Sequence, residues 1–352
     1  MFFVNAFDFN AMINKAIPAD ARTGLEMDDF LRGTRQGLEL QISAIKSFKF
    51  LRVAQLDGQP CALLRVITTN GAVNYQDVFL EHDTNGAVRI DDVYIYLTGE
   101  KMSETVRRLI IPILQQNNES GLERLFGDSP DLIKYASQWR DMIYDVNHGR
   151  YQEGIEVYSQ LPVSLQGEKF MLVEEMRAAQ NVSRAKYLEA IELWRKRYPT
   201  DASVDLVSID YYIYLKQYTE ALELIDRLDQ NVGGDPYLDQ TRAGVYSLMK
   251  DSTNAEKYAR SAVEREPDLI TAGFFAIKLA MERQDFESCT QILEQMHAKG
   301  GYPKSALDSG LRASHVFLPL LRTDAYRDWY FAVPAGQPPE LVPMDVPARG
   351  TN

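Results

Sequence analysis

Residues 243–267 read AGVYSLMKDSTNAEKYARSAVEREP, and their spacing decides the reading of the second half of the chain. Ala255, Ala259 and Ala262 recur at i, i+4 and i+7, one face of a helix. Small side chains on such a face let a second helix approach closely, and Ala243 and Tyr246, before the Lys250–Asp251 break, belong to that second helix. Pro267 closes the phrase. Working outward, the head of the phrase repeats as Tyr151 to Gly154, Tyr187 to Ala190, Tyr218 to Ala221, Ser252 to Ala255 and Phe286 to Cys289. Its small residues stand 36, 31, 34 and 34 positions apart. That interval is the period of stacked helix pairs, about 34 residues. Four residues further, Tyr158, Trp194, Ile225, Ala259 and Leu293 fall on the same face and can fill the seam. Ser305 to Trp329 continues in helical phase with Leu307, Leu311, Phe317, Leu320 and Leu321, as capping helices would. The spacing therefore predicts an all-α repeat domain over 128–330 and a flexible, Pro-rich tail over 331–352.

The first half has another period. A helix is expected almost from residue one, where Phe7, Met12, Ile13 and Ile17 fall near helical spacing with Asp8 as a candidate cap, and a second over roughly 28–46. Phe48–Leu56, Cys61–Thr69, Val73–Asp83 and Val88–Leu97 are rich in β-branched and aromatic residues. Asp57-Gly58, Asn70-Gly71 and Asn85-Gly86 separate them, dipeptides that supply the positive φ angles of tight hairpins. The prediction is an α+β domain over 1–127, with helices on a four-stranded antiparallel meander. Strict alternation along the last strand sets Val88, Ile90, Asp92, Tyr94 and Tyr96 on one face. Both faces are partly apolar. One is expected to cover the helices and the other to meet the repeat domain, a second copy or a ligand.

The element order, with stretches such as Gly71-Ala72-Val73-Asn74-Tyr75 and Arg89-Ile90-Asp91-Asp92-Val93-Tyr94, resembles the cystatin-like and NTF2-like (nuclear-transport-factor-like) superfolds. The repeat resembles a degenerate tetratricopeptide (TPR-like) solenoid, with Gly154 and Cys289 in place of the family's alanine. A TPR-like array implies an extended peptide in a groove lined by the first helix of each pair. Matching the pattern puts Leu206, Asp210, Tyr214, Tyr237, Gln240 and Phe274 towards it. The positions by which some members clamp a partner's C-terminal carboxylate hold Leu206, Asp210, Gln240 and Gly244, so that mode is disfavoured. For Tyr214 and Phe274, packing between repeats is an equally good reading.

Lys plus Arg number 38 against 50 Asp plus Glu, net −12, a sign that repels nucleic acid and anionic lipid. Residues 1–127 hold −3 of this and 128–352 hold −9. The longest apolar run, Leu109–Leu114 with Pro112 inside, is far below the ~20 residues of a membrane span. The opening MFFVNAFDFNAMINKAI does not read as a secretory signal, and the expected compartment is cytoplasmic by default, exported if a signal preceded residue 1. Two cysteines, Cys61 and Cys289, argue against a disulfide framework. His82, His148, His297 and His315 lack metal-ligand spacing, and no nucleophile-elbow, P-loop or dinucleotide motif occurs. No catalytic residue, metal or cofactor is expected. The expected activity is non-enzymatic: a scaffold binding a protein or peptide partner, with a homodimer through the sheet domain as a further possibility. The alternative is small-molecule binding or catalysis in a sheet pocket built on Asp92, Tyr94 and Tyr75, near Arg65, where a carboxylate in an apolar hollow has a raised pKa.

Overall fold

The computed structural model describes residues 5–22, 26–69, 71–83, 85–111, 114–115, 119–199 and 201–332. Asn70 of the second turn and the tail beyond Ala332 lie outside the described residues. The chain forms an α+β N-terminal domain followed by TPR-like helix pairs. Compactness divides it at another place than 127/128: one unit is Met1–Asp235 and the other Pro236–Asn352.

In the first unit, Asp8 caps α1 (Phe9–Ala16) by accepting from the Ala11 amide at 2.9 Å. α2 (Met27–Ser43) buries only Leu38 completely. β1 (Ile45–Leu56), β2 (Gln59–Thr68), β3 (Val73–His82), β4 (Val88–Ile95) and a short β5 (Glu100–Lys101) pair in sequence order, each antiparallel to the last. Asp57 at φ 53° and Gly58 at φ 75° close the first hairpin with two left-handed residues, the geometry its two-residue loop requires. One expectation is corrected here. Phe79 pairs with Asp92 while Leu80 pairs with Ile90, so Asp91 is a bulge residue and the alternation flips across it. Ile90 therefore joins Val78, Val93, Leu64 and Leu38 in the core beneath the helices, while Asp92, Tyr94 and Tyr96 keep the face assigned to them.

α3 (Met102–Leu109), α4 (Glu119–Phe126) and α5 (Pro130–Lys134) lead into the pairs α6 (Ala136–Asn147) with α7 (Tyr151–Gln160), α9 (Lys169–Val182) with α10 (Arg184–Arg197), and α11 (Ala202–Leu215) with α12 (Tyr218–Val232); the short α8 (Val163–Gln166) precedes α9. One continuous core holds Met12, Ile13, Val106, Leu122, Trp139 and Met171, so the N-terminal helices close the first pair. The sheet itself meets the start of α9 and the end of α12: Lys169 Nζ donates to the Gly99 carbonyl at 2.9 Å, and Arg52 donates to the carbonyls of Asn231 and Val232 at 2.6 and 2.9 Å.

The second unit carries α13 (Pro236–Leu248) with α14 (Ser252–Arg265) and α15 (Ile270–Glu282) with α16 (Phe286–Ala298), then α17 (Lys304–Arg312), α18 (Leu318–Leu321) and α19 (Asp324–Phe331). Ala255 is fully buried, as its place in the seam demands. Leu307, Leu311 and Leu320 are buried too, and Trp329 Nε1 donates to Glu294 at 2.9 Å, fixing the C-terminal cap. The second helices of the five pairs begin 33, 34, 34 and 34 residues apart. That regularity rephases one copy: α10 starts at Arg184, capped by Ser183, so Tyr187 rather than Ala190 fills the fourth position taken elsewhere by Gly154, Ala221, Ala255 and Cys289.

Candidate recognition surface and the buried sheet face

Leu206, Asp210 and Tyr214 follow one another at i, i+4 and i+8 on α11, so the helix period sets them in one stripe. Leu206 is half-buried, Asp210 is open to water, and Tyr214 is 45% exposed. The surrounding protein displaces enough water to raise the Asp210 carboxyl above its ordinary range. Tyr214 is held from behind: its ring meets Tyr187 edge-on at 6.1 Å, the Arg184 guanidinium lies 5.0 Å from its centroid, and Arg184 donates to its carbonyl. An aromatic that is fixed yet exposed loses little freedom on binding, which suits it to anchor a partner.

In the second unit, Tyr237 and Gln240 are half-buried on α13, and Gln240 Oε1 accepts from the Thr271 hydroxyl at 2.9 Å. One turn on, a Cβ built at Gly244 would meet nothing within 4 Å, so the surface is open there. Phe274 is placed otherwise. Its ring centroid lies 5.8 Å from that of Phe317, and a Cβ on Gly310 would come within 2.5 Å of it. It packs into the C-terminal cap.

The three sheet-pocket candidates share a face but not a site. Asp92 accepts from the Ser103 hydroxyl at 2.6 Å and from the amides of Ser103 and Val93 at 3.1 and 2.9 Å. Burial raises its carboxyl, and those bonds oppose the shift. Tyr75, fully buried, donates instead to Asp235 at 2.8 Å, and Arg65 forms a buried ion pair with the other oxygen of the same carboxylate. Burial and the Asp235 charge both push the Tyr75 hydroxyl well above its usual pKa. Beside them Cys61 donates to Asp77 at 3.4 Å, and burial raises that thiol to about 12. A thiol so protonated is a poor nucleophile. Tyr94 alone borders open space, a cleft of about 480 Å3 shared with Lys101, Arg108, Glu168, Lys169 and Tyr198. Its cations are engaged: Lys101 with Asp57, Arg108 with Glu100, Lys169 with Asp201. Asp235 was outside every sequence-based expectation. It lies 170 positions from Arg65, and only its place after Gly233-Gly234 and before a helix-opening proline marked it as a turn.

Among the described residues, no group of three or more His, Cys, Asp or Glu side chains could hold a metal ion. No helix of the described residues is long and apolar enough to cross a membrane.

No protein-family model and no curated protein matches the chain. Solved structures of MamA are similar to part of it. MamA MSR-1 aligns at a TM-score of 0.38 and 13% identity, over 47% of this chain and 95% of that one. A structure of MamA AMB-1 aligns at a TM-score of 0.37 and 12% identity, over 49% of this chain and 94% of that one.

Proposed function

We propose that the protein is a non-catalytic interaction module that captures an extended peptide segment of a partner protein along the first helices of its repeats. The observation that carries this reading is the stripe Leu206, Asp210, Tyr214, which sets a fixed, exposed aromatic beside a carboxylate. The second unit, taken by itself, offers Tyr237 and Gln240 on its own first helix; Phe274, packed against Phe317, adds stability rather than contact. An aromatic floor with an acidic side chain suits a segment carrying apolar residues and a basic one, and the net −9 of residues 128–352 favours the same choice. The test is a displayed peptide library panned on the intact protein, with the selected peptides titrated against Tyr214→Ala.

A second reading, small-molecule binding at the sheet, keeps one supporting observation: the cleft beside Tyr94 has a volume typical of ligand sites. Asp92 and Tyr75 do not border it, so this site would differ from the one expected from their alternation.

A further inference from the structure

We propose that the helix-side face of β1 is a self-association surface, which docks face to face with a second copy of this chain. Along β1 the register and its bulges bring Phe48, Phe50 and Val53 to the same face as Ala62, Leu64 and Val66 of β2. Away from the helices these side chains are 60%, 55% and 68% exposed. Large apolar side chains gathered on one strand in this way mark a surface that another molecule covers.

Three features select a second copy as the occupant. The first is self-complementarity. Beside the protruding rings, an apolar groove of about 330 Å3 opens between the end of α2 and the strands, walled by Ile42, Ile45, Leu64 and Val66. One face thus carries both a projecting Phe50 and a recess that admits a ring. A two-fold axis seats each copy's ring in the other's recess, as an isologous contact requires. The second is area. Phenylalanines present roughly 150–250 Å2 each, so the exposed fractions of Phe48 and Phe50, with Val53, Leu80 and Val88 on the same side, amount to roughly 500 Å2 per copy. Doubling this brings a pair to about 1,000 Å2, the lower limit of specific interfaces. The third is charge. Arg52 turns to the opposite face, where it holds the 231–232 carbonyls, so its charge stays out of the contact and Lys46, at the rim of the recess, is the cation nearest to it.

The edge of the same strand is the rival mode, and β1 is built against it. Register shifts fall between Ile45 and Ser47 and between Phe50 and Arg52, and Lys46 sits in the first. Bulges and lysines on an edge strand oppose strand addition.

Sedimentation equilibrium of the full chain between about 1 and 200 µM should show a reversible dimer with a dissociation constant of tens of micromolar, as so small an interface allows. Phe50→Ser combined with Val53→Ser should weaken it at least tenfold, with circular dichroism and melting unchanged, and Phe50→Leu should restore most of it. A strictly monomeric chain at 200 µM would overturn the proposal and leave the face to another partner. A dimer untouched by the double substitution would overturn it in favour of the strand edge or another surface.

Discussion

The two faces of the sheet invert the ordinary distribution of polarity. The face along the repeat helices buries Arg65, Asp77, Asp91 and Asp92 almost completely, together with the hydroxyl of Tyr75. On the opposite face, where it runs past α2, Phe48, Phe50 and Val53 are each more than half exposed. Most of the polar groups on the buried face satisfy one another: Arg65 and Tyr75 share Asp235, Asp92 takes Ser103, and Cys61 takes Asp77, while Asp91 pairs with Lys15 through one oxygen and leaves the other without a hydrogen bond. Desolvating those groups is costly and each bond recovers part of the cost, so the contact selects one arrangement of sheet on helices more than it adds stability. The exposed face has the opposite character, apolar and undirected, and fits an association that forms and breaks.

The largest effect should come from breaking the satisfied side. Asp235→Ala leaves the Arg65 guanidinium and the Tyr75 hydroxyl buried without their shared acceptor, and loss of one member of a buried pair costs about 3–5 kcal/mol. Denaturant unfolding should show this as an early transition. Arg65→Met with Asp235→Leu should recover much of the loss, and a double variant as weak as Asp235→Ala would mean that the pair itself stabilises the contact.

The same contrast between matched and mismatched burial recurs within the helices. Ala255 is fully buried in its seam, so Ala255→Leu should cost roughly 1–3 kcal/mol by overpacking. An unchanged melting temperature would place the residue outside the seam. Glu175 is the mismatched case: its Oε2 is buried with no hydrogen-bond partner, and desolvation raises its carboxyl to about 7, opposed by Lys186. An acid whose folded pKa lies above its unfolded value contributes stability below the unfolded value, and that contribution is lost as pH rises through about 7. Glu175→Gln should therefore stabilise the protein at pH 8 by on the order of 1–2 kcal/mol, with almost no effect at pH 4. A gain equal at both pH values would assign the effect to packing. The smallest change belongs to the exposed face, where Phe50→Ser should alter thermal stability by no more than about 0.5 kcal/mol.

Local chemistry was legible in the sequence, and long-range pairing was not. Asp57-Gly58 and Asn85-Gly86 announce hairpins because positive φ is a property of the turn residues themselves, and Asp8 announces a cap because its side chain reaches an amide three residues on. The bulge at Asp91 left no such signal. An extra residue in a ladder is visible only once its partner strand is in register, and Ile90 was assigned to the wrong face on that account. The repeat was legible as a period, yet its second copy was out of phase because Ala190 looked more like the family's alanine than Tyr187 did. Of the candidate recognition residues, the α11 stripe follows from the helix period alone. The covering of Phe274 depends on Phe317 and Gly310, more than thirty positions away, and Asp235 depends on a contact across most of the first unit.

The most direct test of recognition through the repeat helices is the affinity of library-selected peptides for the intact protein and two single variants. Loss of an aromatic anchor typically costs at least ~2 kcal/mol, roughly thirtyfold in affinity. Tyr214→Ala should show that loss while its far-ultraviolet spectrum and melting curve match the parent, and Asp92→Asn, tied to Ser103 away from the stripe, should bind as the parent does. Binding that survives in folded Tyr214→Ala and disappears in Asp92→Asn would contradict the account and move recognition to the sheet.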